Sequence, residues 1–306
     1  MTIVKKEVIT KLRKLKTLLN SLMGYLYKFA VDIKVLRVPC LNNKNNANVV
    51  VSLTSYGRRV ENLIVYYTLI SLLRQTQQPC RIILWLAKEE WNDETIPVKL
   101  KSLKEKGVEI CYYKDIKSYK KLIPSIKKYP DAIIITFDDD TIYSSDTIEV
   151  LMEEHKRHRT DVICLEAKWP VFNNGIPFNY YNWEELTEDA SGKYLFPVGA
   201  GGILYPPDSY HKDILKEEVF SECCPQADDI WFWFNCLRVG TNKIFIKKKK
   251  TNLSFDNIYQ YFHKGSALAH TNRLNEQNDR QFRTLFNYYN YSIKNNNEDR
   301  IINTIL

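Results

Sequence analysis

One stretch constrains this chain more than any other: an apolar run that stops abruptly on acid. Ile133-Ile-Ile-Thr-Phe137 is short, β-branched and aromatic, and free of Gly and Pro. That composition predicts a buried strand. Asp138, Asp139 and Asp140 follow it directly. Three carboxylates at one strand end repel each other, so a positive group is expected beside them. Strand side chains alternate, which would send Asp138 and Asp140 one way and Asp139 the other. Hard oxygen ligands at that spacing suit Mg²⁺ or Mn²⁺, completed by waters and a substrate's phosphates. The competing reading is an acidic turn ahead of the helix expected over Thr147–His155.

The surrounding pattern supplies the context. Asn48–Gly57 reads as a first core strand with its exit turn, and Leu63, Tyr66, Tyr67, Ile70 and Leu73 form a helical stripe after it. Arg81–Ala87 is a second strand and Val108–Tyr113 a third, with a polar helix around Ile96–Lys106 between them. The acid-terminated strand is the fourth, and Val162–Leu165 is another short one. Strands alternating with helices over such lengths predict an α/β fold, a mostly parallel sheet with helices on both faces. Ligands of such sheets bind beyond the carboxyl ends of the strands, where Ser55–Tyr56 and Asp138–Asp140 should both lie.

Later segments are less periodic. Gly199-Ala-Gly-Gly202 lacks the spacing of a dinucleotide fingerprint and is better read as backbone passing close to a ligand. Asp228-Asp229 opens a very aromatic helix, where the dipole alone favours acids. The 7 Cys are odd in number and never spaced Cys-x-x-Cys, which points to neither a disulfide framework nor a zinc site and suits a reducing cytoplasm.

Charge is concentrated at the start. The formal net charge is +8, and residues 1–37 carry nine basic residues against only Glu7 and Asp32. The remainder is close to neutral, so nucleic acid is not an expected partner. Val8, Leu12, Leu15, Leu19, Leu22, Leu26, Phe29, Ile33 and Leu36 recur at spacings of four and three, one apolar stripe on a helix. A coiled coil, a helix packed on its own domain and a helix lying on a membrane surface all fit this spacing. Basic flanks favour an anionic membrane surface. Lys28, Asp32 and Lys34 interrupt any run long enough to span a bilayer, and no cleavable signal pattern is present. The resulting division is a basic amphipathic helical leader over 1–41, a polar linker over 42–48, a main domain over 49–270 split near 145, and a helical tail over 271–306.

Taken in order, these pieces resemble a nucleotide-sugar glycosyltransferase of the GT-A type, similar to glycosyltransferase family 2 and its bacterial capsule and lipopolysaccharide relatives. The resemblance rests on Val49–Tyr56, Leu69–Thr76, Arg81–Leu86, Asp115–Lys128 leading into Ile133–Asp140, Gly199–Gly202 and Asp228-Asp229, and covers about residues 48–240. It departs after the second strand, where Ala87-Lys-Glu-Glu90 stands in place of the family's acidic turn. The resemblance implies a Rossmann-like GT-A fold and a hexosyltransferase-like enzyme that uses Mn²⁺ or Mg²⁺. Its donor would be a nucleotide sugar such as a UDP-sugar, and its acceptor a glycan or lipid-linked molecule. It implies that Thr54, Ser55, Tyr56, Lys121, Asp138 and Asp139 hold the donor, with the first half of the domain as the nucleotide-sugar half and 146–270 as the acceptor half. Asp138 and Asp140 would hold the metal, with His270 or His263 as a further ligand. Asp229 would be the base, with Asp228 as the alternative, and direct displacement would invert the anomeric centre. The expected location is cytoplasmic, on the inner face of the cell membrane, in surface polysaccharide synthesis. A metal-dependent nucleotidyl- or phosphoryltransferase would also use acids after a buried strand. A non-catalytic membrane-binding protein would need only the leader, and would leave the three aspartates unexplained.

Overall fold

The computed structural model describes residues 19–42, 48–248, 252–254 and 277–293. The expected stripe positions Val8, Leu12 and Leu15, and both His263 and His270, lie outside the described residues.

β1 (Val49–Thr54), β2 (Arg81–Ala87), β3 (Val108–Tyr113) and β4 (Ile133–Thr136) form where the β-branched runs predict them. β1 pairs in parallel with β2 and β4, and β2 in parallel with β3. Further on come β5 (Val162–Cys164), β6 (Ala190–Gly192), β7 (Ile203–Tyr205) and β8 (Lys243–Phe245). All eight make one sheet in the order β6-β8-β5-β7-β4-β1-β2-β3. β7 runs antiparallel to both β4 and β5, β8 is parallel to β5, and β6 is antiparallel to β8. Six strands therefore run one way and two against them. This is the mostly parallel α/β architecture, helices on both faces, expected from the sequence, and the sheet continues without a break across residue 145.

Both faces are covered, as alternation requires. Along the central strands Val51, Leu53, Leu84, Ile135 and Phe137 face one buried cluster, while Ile134, Val162 and Cys164 face another. The helices are α1 (Gly57–Glu61), α2 (Ile64–Leu73), α3 (Ile123–Lys128), α4 (Thr147–Arg157), α5 (Glu217–Cys223), α6 (Asp228–Arg238) and α7 (Gln277–Tyr288). α2 joins the first cluster through Leu69, Ile70, Leu72 and Leu73. α6 joins the second through an almost unbroken aromatic run, Trp231 to Phe234. α7 belongs to the same core: Phe282, Leu285 and Phe286 are fully buried, with Phe282 5.4 Å from the Trp183 ring. Polar groups buried on the sheet are paired. Ser52 and Trp85 meet at the Ser125 hydroxyl, at 2.7 and 2.8 Å.

This topology assembles a site. Parallel β1 and β4 are neighbours, with Ser52 opposite Thr136, so their carboxyl ends emerge side by side. β7 runs the opposite way beside β4, so its beginning, preceded by Gly199–Gly202, arrives at the same sheet edge. All seven cysteines are free.

Candidate active site

A cleft of about 730 Å³ opens beyond those strand ends. Thr54, Ser55, Tyr56, Lys121, Asp138, Asp139, Asp228 and Asp229 all line it, so the residues expected to hold the donor and those expected to act as base share one cavity. Asp140 stands beside it through its ion pair with Arg59.

The positive group expected at the end of β4 is Arg59, carried on α1. Its two terminal nitrogens reach Asp139 Oδ1 and, at 2.7 Å, Asp140 Oδ2. The Ser55 hydroxyl donates to the other oxygen of Asp139, and Thr68 Oγ1 donates to the Asp139 carbonyl at 2.9 Å. Asp139 is only 4% exposed. Burial pushes its pKa up, against the pull of Arg59 and Ser55. The alternation expected for the three aspartates does not hold, because β4 ends at Thr136 and Asp139-Asp140 lie in a turn. Asp139 and Asp140 thus share one guanidinium, while Asp138 faces a different cation.

That cation is Lys121, at the end of a tight turn over Lys117–Lys121 that precedes α3. Its ammonium lies 2.7 Å from Asp228 Oδ2, 3.3 Å from Asp229 Oδ1 and 3.4 Å from Asp138 Oδ1. Burial works against its charge, but these carboxylates outweigh burial and hold the lysine pKa well above its ordinary value. Ser118 of the same turn donates to Asp228 Oδ1 at 2.8 Å, and Gly199 N–H, from the glycine segment, donates to Asp229 Oδ2 at 3.3 Å. Asp228 and Asp229 therefore turn toward the cleft instead of serving only the dipole of α6. Burial pushes Asp229 up to about 6; Lys121 opposes this, and Asp228 and Asp138 add to it.

The glycine segment is needed for space. A Cβ at Gly199 would lie 2.9 Å from the Lys121 ammonium and 3.1 Å from Asp229. Gly202 has φ +99°, and a Cβ there would meet the Phe137 ring at 2.5 Å. The segment passes close to the site's own side chains, which refines the expectation of a close approach to ligand.

Arg59, Ser118, Glu89 and Glu90 were not anticipated from the sequence. Glu90 accepts from Gly57 N–H at 2.8 Å and Glu89 from Asp115 N–H at 3.0 Å. The departure after the second strand thus ties down two loops of the cleft wall. The basic pair Arg58-Arg59 just beyond the first strand was the available signal for Arg59.

Seven acids and four bases line the cleft, an excess of negative charge where an anionic diphosphate would have to bind. Among the described residues no group of three or more His, Cys, Asp or Glu is arranged to hold a metal ion. A magnesium-type ion needs less, one or two carboxylates with waters and substrate phosphates. Asp138, with a third of its side chain exposed, fits that requirement, and Asp140 fits only alongside Arg59.

No family model matches this chain, and neither does any curated protein. Among solved structures, it is similar to S. aureus TarS 1–349, with 14% identity and a TM-score of 0.46 over 79% of this chain and 72% of that one. It is also similar to a CMP:2-keto-3-deoxy-manno-octonic acid synthetase complexed with CTP, with 11% identity and a TM-score of 0.42 over 71% of this chain and 96% of that one.

Proposed function

We propose that this protein is a hexosyltransferase-like enzyme that moves a sugar from a nucleoside-diphosphate sugar, such as a UDP-sugar, to a hydroxyl of a glycan or lipid-linked acceptor in surface polysaccharide synthesis. The observation that carries the reading is the Lys121 ammonium, which touches both the aspartate at the end of β4 and the pair that opens α6. Two acid sites far apart in sequence are thereby joined in one cleft.

The labour divides between them. Thr54, Ser55 and Tyr56 lie at the end of β1 along the wall where the nucleotide would sit, and Tyr56 offers an exposed ring. Mg²⁺ or Mn²⁺ held by Asp138 and Asp140 would neutralise charge developing on the leaving diphosphate. Lys121 adds a fixed positive charge at the same point. Asp229 accepts the proton of the attacking hydroxyl; a pKa near 6 leaves it ionised at neutral pH while keeping it more basic than an ordinary aspartate. A single carboxylate base and direct displacement give inversion at the anomeric carbon. The reaction would take place in the cytoplasm at the inner face of the cell membrane.

The test is product analysis with a panel of nucleotide sugars and Mn²⁺ or Mg²⁺. The expected products are nucleoside diphosphate with a transferred or hydrolysed sugar, lost in excess EDTA. Release of pyrophosphate instead would make the protein a nucleotidyltransferase, and full turnover in EDTA would remove the metal from the proposal.

A further inference from the structure

Residues 19–32 form a helix lying on the domain with most of its large apolar side chains turned outward. Its inner side carries Ser21 and Val31, both buried, and Asp32, which accepts from the Tyr67 hydroxyl at 2.9 Å and pairs with Lys99 at 2.8 Å. Tyr27, and Leu36 just beyond the helix, pack against the sheet's first core cluster. Apart from Asp32 at its last position, every exposed residue of the helix is apolar: Leu19, Leu22, Met23, Tyr25, Leu26 and Phe29, with Phe29 at 61%. Ile33 and Val35, on either side of the exposed Lys34, are exposed as well. An ordinary surface helix does the opposite, burying its apolar stripe and showing polar residues. A continuous apolar patch of this kind marks a surface with an occupant.

We infer that this outward face docks on an anionic lipid bilayer. Charge selects the occupant. Lys5, Lys6, Lys11, Arg13, Lys14 and Lys16 stand before residue 19 in the sequence, against the single acid Glu7. Anionic headgroups complement this cationic segment, whereas a second copy carries the same excess of positive charge. Among the described residues no helix is long and apolar enough to cross a membrane. The helix therefore lies in the plane of the interface, its inner face clamped to the domain by Asp32. The inference does not depend on the transfer reaction.

The test is flotation of the full chain with phosphatidylserine-rich vesicles, beside vesicles of phosphatidylcholine alone. The comparison protein carries Leu22→Glu, Leu26→Glu and Phe29→Glu, all outward-facing, and its thermal melt should match that of the parent. The parent should float with the anionic vesicles, less so as salt is raised, and the triple variant should bind more than about tenfold more weakly. Equal flotation of the two proteins would overturn the inference, as would failure of the parent to float. A parent dimer that the triple variant dissolves, seen by sedimentation without flotation, would assign the face to a second copy and likewise overturn it.

Discussion

Arg59 and Lys121 both neutralise acids of the cleft, but over very different spans of chain. Arg59 grips two carboxylates that are adjacent in sequence, through a rigid planar fork, and one of them is almost wholly buried. Lys121 presents a point charge to three carboxylates drawn from the end of β4 and the start of α6. The first arrangement fixes the shape of a turn. The second draws two acidic segments together, and a single ammonium among three acids leaves their charge incompletely balanced. The comparison separates an ion pair that shapes one turn from one that joins distant segments of the same cavity.

That contrast breaks most visibly if Arg59 is removed. Arg59→Met strands the buried Asp139 carboxylate and should cost about 3–5 kcal/mol of unfolding free energy, read by denaturant titration. A loss under about 1 kcal/mol would make Arg59 dispensable to the turn and dissolve the distinction.

Lys121→Met sharpens the other side. On the proposed mechanism Asp229 must be ionised to act as base, so the wild-type transfer rate should fall as pH drops through about 6. Of the two groups that oppose the rise of the Asp229 pKa, Lys121 and the Gly199 N–H, Lys121 is the stronger. Without it the acidic limb should move upward by about one pH unit or more, readable on whatever residual rate remains. An unmoved limb would mean that Lys121 does not govern the base.

The smallest effect concerns the brace behind the turn. Thr68→Val keeps the shape but removes the hydroxyl that satisfies the Asp139 carbonyl, and should cost about 1 kcal/mol in the same titration. No change would place the stability of the turn in Arg59 and Ser55 alone.

The first half of the molecule is legible in sequence because each strand is a short β-branched run closed by turn residues, as in Val49–Thr54 and Ile133–Thr136. Asp138, Asp139, Asp228 and Asp229 are visible as acids at element ends, which is a local signal. Their meeting is not local. Nothing around residue 121 announces that its ammonium reaches residue 229, since that contact depends on β7 entering antiparallel between β4 and β5. A need for positive charge beside the three aspartates follows from electrostatics, but its supplier lies some eighty residues upstream, as the Arg59–Asp139 separation records. The expected alternation of the aspartates fails for a simpler reason: the strand stops at Thr136, before they begin. Likewise α7 looks like part of a polar tail until the spacing of Phe282, Leu285 and Phe286 is matched to the aromatic core that receives it.

The central claim is that Asp229 takes the proton while the aspartates beyond β4 serve the donor. Asp229→Asn, compared with Asp228→Asn, tests it most directly when sugar transfer and donor affinity are measured on the same preparations. Asparagine keeps the volume and removes the base. The account predicts a transfer rate lower by about 10²–10⁴-fold in Asp229→Asn, with donor affinity nearly unchanged. Near-normal transfer by Asp229→Asn, with collapse in Asp228→Asn, would contradict it and move the role one residue back.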